Sequence, residues 1–317
     1  MSTIDFVDAE LREALEQRPR LKLSDEALPK SRAFIHKLAA ATPKPDLPDL
    51  GVSEMHVDSI FGAAPIRILM YKPRGRSHRL PAFVHVHGGG FVMGAPEMRD
   101  VENRILASKL NCVIVSVDYR LAPEAPYPAA LHDVYAVLVW LNANALALDV
   151  DPARIGIKGE SGGGGIAAGV ALYARDKNGP PLAFQHFIYP MIDDRTAIRT
   201  DLNPYVGEFV WTQEHNLFGW RALLGQEPGR GDVSPYAAAS RADDLSKLPP
   251  TYIAVGALDL FLEENMDYAH RLSRAGVPVE LHVYPGAYHG FQAAAQARVS
   301  QQADRDSFDS LLKCLHG

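Results

Sequence analysis

Along the chain, the spacing of apolar and polar positions changes near residue 50. Before it, Phe6–Glu16 and Ser24–Ala41 place apolar residues three and four apart, which predicts two amphipathic helices. The Pro-rich run TPKPDLPDL (42–50) then reads as a linker. Beyond it come short β-branched runs at Glu54–Ile60, Pro65–Tyr71, Ala82–His87, Cys112–Asp118, Arg154–Gly159, Phe184–Tyr189, Thr251–Val255 and Val277–Tyr284. Helical spacing fills most intervals between them, at Glu97–Leu110, Pro128–Asn142, Gly164–Asp176 and Glu263–Ala275. Strands alternating with helices predict an α/β protein with a mostly parallel sheet covered on both faces. The first two runs are separated by a short loop, FGAA, and are expected as an antiparallel hairpin.

One interval breaks the alternation. Between Asp194 and Leu248 no strand is convincing, but Tyr205, Phe209, Trp211, Phe218 and Trp220 cluster there. A helix near Thr212–Leu224 packed by its aromatic face is one reading. The other is an inserted cap that roofs a pocket, since the insertion is long for an αβ connection.

Composition narrows the classes. The 317 residues are 47% hydrophobic and 22% charged, enough apolar material for a sizeable core. The net charge of −6 with no basic block argues against nucleic acid as a partner. The longest apolar run, Ile166–Ala174, is far short of the roughly 20 residues that span a bilayer. The N-terminus lacks a basic and apolar leader pattern, so the expected location is the cytoplasm. Cys112 and Cys314 lie far apart, and Cys112 reads as a buried thiol.

The segment RIGIKGESGGGG (154–165) runs from a strand into a helix-capable stretch. It contains Gly159-Glu160-Ser161-Gly162-Gly163, the G-x-S-x-G pattern. A sharp strand-to-helix turn exposes the serine oxygen, and small flanking residues relieve its crowding. The next backbone N–H, that of Gly162, then lies at a helix N-terminus, where an oxyanion is stabilised. The same glycines match a dinucleotide fingerprint (Gly163, Gly165, Ala168), but the following strand ends in Ile188-Tyr189-Pro190 without the required acid.

In VHVHGGGFVMG (84–94) three glycines follow an apolar strand directly. The backbone N–H groups of Gly88 and Gly89 are candidates for a second set of oxyanion donors. His85 and His87 face one side of a strand, which invites a metal reading. No further ligands with suitable spacing accompany them, so His85 is expected in the core and His87 as a residue that orients the loop.

Of the six histidines after Ser161, His289 alone follows a strand directly in a turn, Tyr284-Pro285-Gly286-Ala287-Tyr288-His289-Gly290-Phe291. The carboxyl ends of strands are where doubly wound sheets collect their site residues. His289 is the candidate general base. Asp259, in the turn after TYIAV, is the candidate acid, with Asp193 and Asp194 as competitors. Glu263, Glu264 and Asp267 fall on the next helix and are expected to cap it or be solvated.

Together these pieces resemble the hormone-sensitive-lipase-like esterases of the α/β-hydrolase superfamily. The matching residues are His87-Gly88-Gly89-Gly90-Phe91, Asp118-Tyr119-Arg120-Leu121-Ala122-Pro123-Glu124, GESGG, Asp259 and His289-Gly290-Phe291, over roughly 50–315. The resemblance implies the α/β-hydrolase fold with an eight-stranded, mostly parallel sheet and a helical cap. The partition it suggests is an N-terminal cap segment (1–50), core (51–193), cap insertion (194–230) and core (231–317). It further implies hydrolysis of short- to medium-chain acyl esters by Ser161, Asp259 and His289, with Gly88, Gly89 and Gly162 around the oxyanion. No metal or organic cofactor is expected, and the partner is a small-molecule ester. Many relatives are dimers, so a homodimer is one assembly to test. Cap aromatics such as Phe209 and Trp211 are the candidate substrate-binding residues. The sequence departs from the family at Glu160, usually Asp or Thr, at Gly162, usually Ala, and at Leu260, usually Pro. Amidase, lactonase or arylformamidase chemistry would use the same groups. A non-catalytic receptor on this fold is the rival from another class, disfavoured because all three triad positions are filled.

Overall fold

The computed structural model describes residues 2–18, 22–76 and 78–317. The strands are β1 (Leu50–Val57), β2 (Ile66–Pro73), β3 (Leu80–Val86), β4 (Val113–Val117), β5 (Val150–Glu160), β6 (Gln185–Ile188), β7 (Thr251–Gly256) and β8 (Val279–Tyr284). They form one eight-stranded sheet in the order β1-β2-β4-β3-β5-β6-β7-β8. The first two pair antiparallel as expected, β2 is antiparallel to β4, and every later pairing is parallel. β3 and β4 are buried along their whole length, which is why they read as continuous apolar runs rather than alternating ones.

The helices are α1 (Ala9–Glu16), α2 (Leu28–Ala41), α3 (Asp100–Lys109), α4 (Ala129–Ala143), α5 (Gly162–Asp176), α6 (Gln213–Leu224), α7 (Leu262–Arg274) and α8 (Arg298–His316). Several begin elsewhere than the apolar spacing suggests, for local reasons. The first predicted helix is split: a short 3-10 turn at Ile4–Phe6 precedes Asp8, whose side chain accepts from the Glu10 N–H at 2.8 Å and starts α1. The third begins with a 3-10 turn at Pro96–Arg99 before α3. Helix α5 starts at Gly162, two residues earlier than expected, so the turn after β5 is a single residue, Ser161.

The apolar spacing read from the sequence does not extend to helix α8, which runs to His316 at the C-terminal end of the chain. Its Leu311 and Leu315 pack with Phe83, Ile114 and Phe184 under the sheet, and His316 Nε2 lies 2.6 Å from the Leu110 carbonyl oxygen. Both cysteines are free thiols, with Cys112 fully buried.

Among the described residues no strand lies between β6 and β7, where α6 and short turns take over. Thr212 caps α6 and Gly225 ends it in a left-handed conformation. The N-terminal segment leans on this insertion: Ser2 and Thr3 hydroxyls donate to Glu208 at 2.6 and 2.7 Å, and the Phe6 ring meets Tyr205 edge-on at 5.2 Å.

Helix α5 presses on the sheet through glycine. A Cβ at Gly163 would overlap the carbonyl oxygens of Val86 and His87, backbone atoms that cannot swing aside. Gly163→Ala is therefore expected to lose about 1–3 kcal/mol of stability despite alanine's better helix propensity. Urea unfolding of the two proteins checks this, and an unchanged or higher midpoint would contradict it.

Candidate active site

The four segments singled out in the sequence meet at the carboxyl edge of the sheet, after β3, β5, β7 and β8. Ser161 holds φ at +54° and ψ at −125°, a region that residues with side chains rarely enter. The turn is fixed by backbone bonds on both sides. The Ser161 N–H donates to the Ile188 carbonyl at 2.9 Å, and its own carbonyl accepts from Gly165 and Met191, each at 3.0 Å.

The serine hydroxyl faces His289, with Oγ 2.9 Å from Nε2. His289 Nδ1 lies 2.8 Å from Asp259 Oδ2. A carboxylate only accepts, so the ring proton belongs on Nδ1 and Nε2 is left to accept from the serine. The other Asp259 oxygen accepts the Phe261 N–H at 3.0 Å. Asp259 is fully buried and Ser161 and His289 nearly so. The acid and the base are tied as one unit, because the Ala257 and Leu258 N–H groups donate to the Tyr284 and Ala287 carbonyls, both at 2.9 Å.

The glycine loop closes from the other side. A Cβ at Gly88 would sit 3.0 Å from the Glu160 carbonyl oxygen and 3.4 Å from Ser161 Cβ, so this backbone rests on the serine turn. One at Gly162 would meet the Phe91 and Gly90 backbones. Among the described residues, the N–H groups of Gly88, Gly89 and Gly162 find no acceptor in the protein. They remain available as donors beside Ser161.

Aromatic rings surround the imidazole. Tyr189 lies 4.5 Å from it, Phe261 meets it edge-on at 5.2 Å, and Trp211 is 6.3 Å away. Burial pushes the Tyr189 phenol up to about 12. Trp211 also covers Gly90, where a Cβ would strike its ring, and donates from Nε1 to Asn216 Oδ1 at 3.2 Å. Phe209 stands further off, its ring 6.2 Å from Tyr288 rather than on His289.

The competing acids are engaged elsewhere. Asp194 is bound by the Arg241 guanidinium at 2.5 Å and Asp193 by Arg195 at 2.7 Å. The motif residues Asp118 and Arg120 pair with Arg67 and Asp133 at 3.1 and 2.8 Å. Glu264 corrects the expectation for its helix: it is buried, and accepts from the Ile192 N–H at 2.8 Å and from the Thr196 hydroxyl. An acid on the first turn of an amphipathic helix looks solvated in sequence, because its partners lie some seventy residues earlier in the chain. Tyr189 and Phe261 carried no motif signal either.

His87 anchors the glycine loop. Its ring stacks on Tyr119 at 4.3 Å and its Nδ1 lies 2.9 Å from the Gly88 carbonyl oxygen. Burial drives its pKa down to about 4, with the Gly88 carbonyl pulling only partly the other way.

The chain is similar to known proteins over most of its length. The family model described as the alpha/beta hydrolase fold matches residues 83–293. Carboxylesterase NlhH of Mycobacterium tuberculosis is 32% identical over 98% of this chain and 97% of its own length. Esterase LipI of the same organism is 34% identical over 86% of this chain and 85% of its own. Among solved structures, a bacterial heroin esterase superimposes with a TM-score of 0.94 at 35% identity, covering all of both chains.

An unfolded histidine titrates near 6.5. Between there and about 4 the unfolded chain binds the proton that folded His87 refuses, so stability falls as pH falls through that window. This one group accounts for about 3 kcal/mol at most. The stability advantage of the parent over His87→Asn should therefore shrink between pH 7 and pH 4.5 in urea unfolding. A constant difference would remove His87 from the account. With this fold, these motifs in this order and relatives of this extent, the chain belongs to the α/β-hydrolase family, in its hormone-sensitive-lipase-like branch of carboxylic ester hydrolases.

Proposed function

We propose that the chain is a serine carboxylesterase that cleaves short- to medium-chain acyl esters with Ser161, His289 and Asp259. The observation that carries the reading is the unbroken chain of short contacts, 2.9 Å from Ser161 to His289 and 2.8 Å on to Asp259. Ser161 Oγ attacks the ester carbonyl as its proton passes to His289 Nε2. The carbonyl oxygen becomes an oxyanion, held by the N–H groups of Gly88, Gly89 and Gly162. Asp259 keeps the Nδ1 proton in place and stabilises the imidazolium. Collapse expels the alcohol, which takes the proton from His289 and leaves Ser161 acylated. Water then attacks the acyl carbonyl while His289 accepts its proton, and His289 returns that proton to Ser161 Oγ as the acyl–serine bond breaks and the carboxylic acid departs. Each step is served by the three side chains and the backbone N–H groups described, so no cofactor enters the scheme.

The cap is the N-terminal segment together with 194–230. Supporting this, Glu208 and Tyr205 are bound to Ser2, Thr3 and Phe6, while Trp211 stands over Gly90 beside His289. Trp211 is read as the wall that bounds the acyl pocket, with Phe209 as a more distant lining residue. No helix among the described residues is long and apolar enough to cross a membrane. The free thiols of Cys112 and Cys314 suit a reducing compartment, which supports reading the location as cytoplasmic.

Hydrolysis of p-nitrophenyl esters from acetyl to palmitoyl tests the reading. Rates should peak at short chains and fall at least about 10³-fold in Ser161→Ala, since removing the nucleophile leaves only residual catalysis. Turnover unchanged in that variant would sink the triad. Trp211→Ala should move the optimum toward longer acyl chains, and an unmoved optimum would take Trp211 out of the pocket wall.

A further inference from the structure

β3 and β5 run side by side, with His85 opposite Lys158 and Val86 opposite Gly159. The ladder ends there, before Gly88 on one strand and before Glu160 and Ser161 on the other. Side chains alternate along strands, so Lys158 and Glu160 share the face on which His85 stands. All three are sealed from solvent, at 0% exposure for His85, 1% for Lys158 and 2% for Glu160. His85 Nε2 lies 3.1 and 3.2 Å from the two Glu160 carboxylate oxygens. Lys158 binds the same carboxylate and reaches Glu102 on α3 at 3.2 Å. Across the imidazole, Nδ1 meets Ser116 Oγ at 2.9 Å and Asn103 Nδ2 at 3.2 Å. An amide nitrogen only donates, which assigns the ring proton to Nε2, directed at Glu160.

Simple space-filling does not call for charge here, because apolar residues of similar volume commonly replace buried ion pairs without loss. What the carboxylate adds is direction. It begins where the backbone ladder stops, and it reaches from the residue before the serine to the strand that leads into the glycine loop. The backbones it joins are already in contact, since the Gly88 Cβ position is 3.0 Å from the Glu160 carbonyl oxygen.

We propose that Glu160 is a positioning residue for ester hydrolysis: its bridge to His85 holds the Gly88–Gly89 loop in place against Ser161. Burial alone would push this carboxyl up, but Lys158, His85 and Arg99 outweigh it and keep it well below the usual carboxylate range. The bridge is thus charged at every pH where the enzyme would work. The inference rests on reading Ser161 as the nucleophile and the loop N–H groups as oxyanion donors.

The test compares Glu160→Gln, Glu160→Asp and His85→Gln with the parent, each normalised to the serine that a fluorophosphonate titrates. The readouts are kcat and KM for p-nitrophenyl acetate and the affinity of an aryl trifluoromethyl ketone, whose tetrahedral adduct needs the oxyanion donors. A misplacement well under 1 Å is enough for about a tenfold loss of rate. Glu160→Gln is expected to lower kcat about tenfold or more, leave KM within about threefold, and weaken the ketone by a factor matching the loss in kcat/KM. Glu160→Asp, which keeps the charge, should recover part of the loss, and His85→Gln should follow Glu160→Gln. Values of kcat and ketone affinity within about twofold of the parent in Glu160→Gln would overturn the proposal. So would a failure of both Glu160→Gln and His85→Gln to fold, which would assign the bridge to stability. A parent without titratable serine or turnover would instead overturn the underlying reading of Ser161.

Discussion

Ser161 occupies a backbone conformation that costs of the order of 1–3 kcal/mol, and the neighbouring chain keeps it there. Its N–H is bound to the strand alongside, and its carbonyl is claimed by both α5 and the segment after β6. Because the turn is a single residue long, the serine oxygen must project from the sheet edge and the first N–H groups of α5 must lie behind it. The close packing of α5 at Gly163 and the glycines of the loop after β3 follow from the same demand. A side chain at Gly163 would push the helix off the sheet, and one at Gly88 would push the loop away from the turn.

The acid and base reach that fixed point from two other strands, and their order comes from backbone bonds rather than from their own side chains. The turns after β7 and β8 are laced together by the Ala257 and Leu258 N–H groups, so Asp259 and His289 move as a pair. Tyr189, Phe261 and Trp211 then close around the imidazole and thin the water near it. In such surroundings the field of Asp259 and of the free N–H groups is screened less than it would be in water.

Much of this was legible in the sequence. The eight strands, their mostly parallel arrangement, the serine turn and the histidine and aspartate after the last two strands all follow from local patterns: β-branched runs, a glycine spacing, and position after a strand. Helix boundaries were less legible, because Asp8 and Pro29 start or reset helices within stretches whose apolar spacing looks continuous. Helix α8 escaped because its charged face dominates the C-terminal sequence, while Leu311 and Leu315 reveal their role only against Phe83 and Ile114. The polar contacts of Glu160 and Glu264 were illegible for a deeper reason, since each joins residues about seventy positions apart. One local clue did exist: a lysine and a glutamate two apart at the end of an apolar strand, Lys158 and Glu160, must share a face.

Those two carboxyls, equally buried, show how the presence or absence of a cation decides what a buried acid does. Glu264 has no cation paired with it among the described residues, so burial and the nearby Asp193 push it well above the usual range. Its bonds to Ile192, Asp193 and Thr196 only partly oppose that shift. Glu160 is as deeply buried, yet Lys158 and His85 hold it far on the other side. Glu160 stands where the ladder between β3 and β5 has run out and Glu264 on the first turn of α7, and both fasten a loop at the site to a neighbouring element. Glu264 binds the segment after β6 to α7, next to the Asp259 turn, and Glu160 binds β5 to β3, next to the glycine loop. Backbone ladders position strands but end at the sheet edge, whereas the chemistry lies just beyond it. Side-chain bridges of this kind extend the order of the ladders across the last few ångströms.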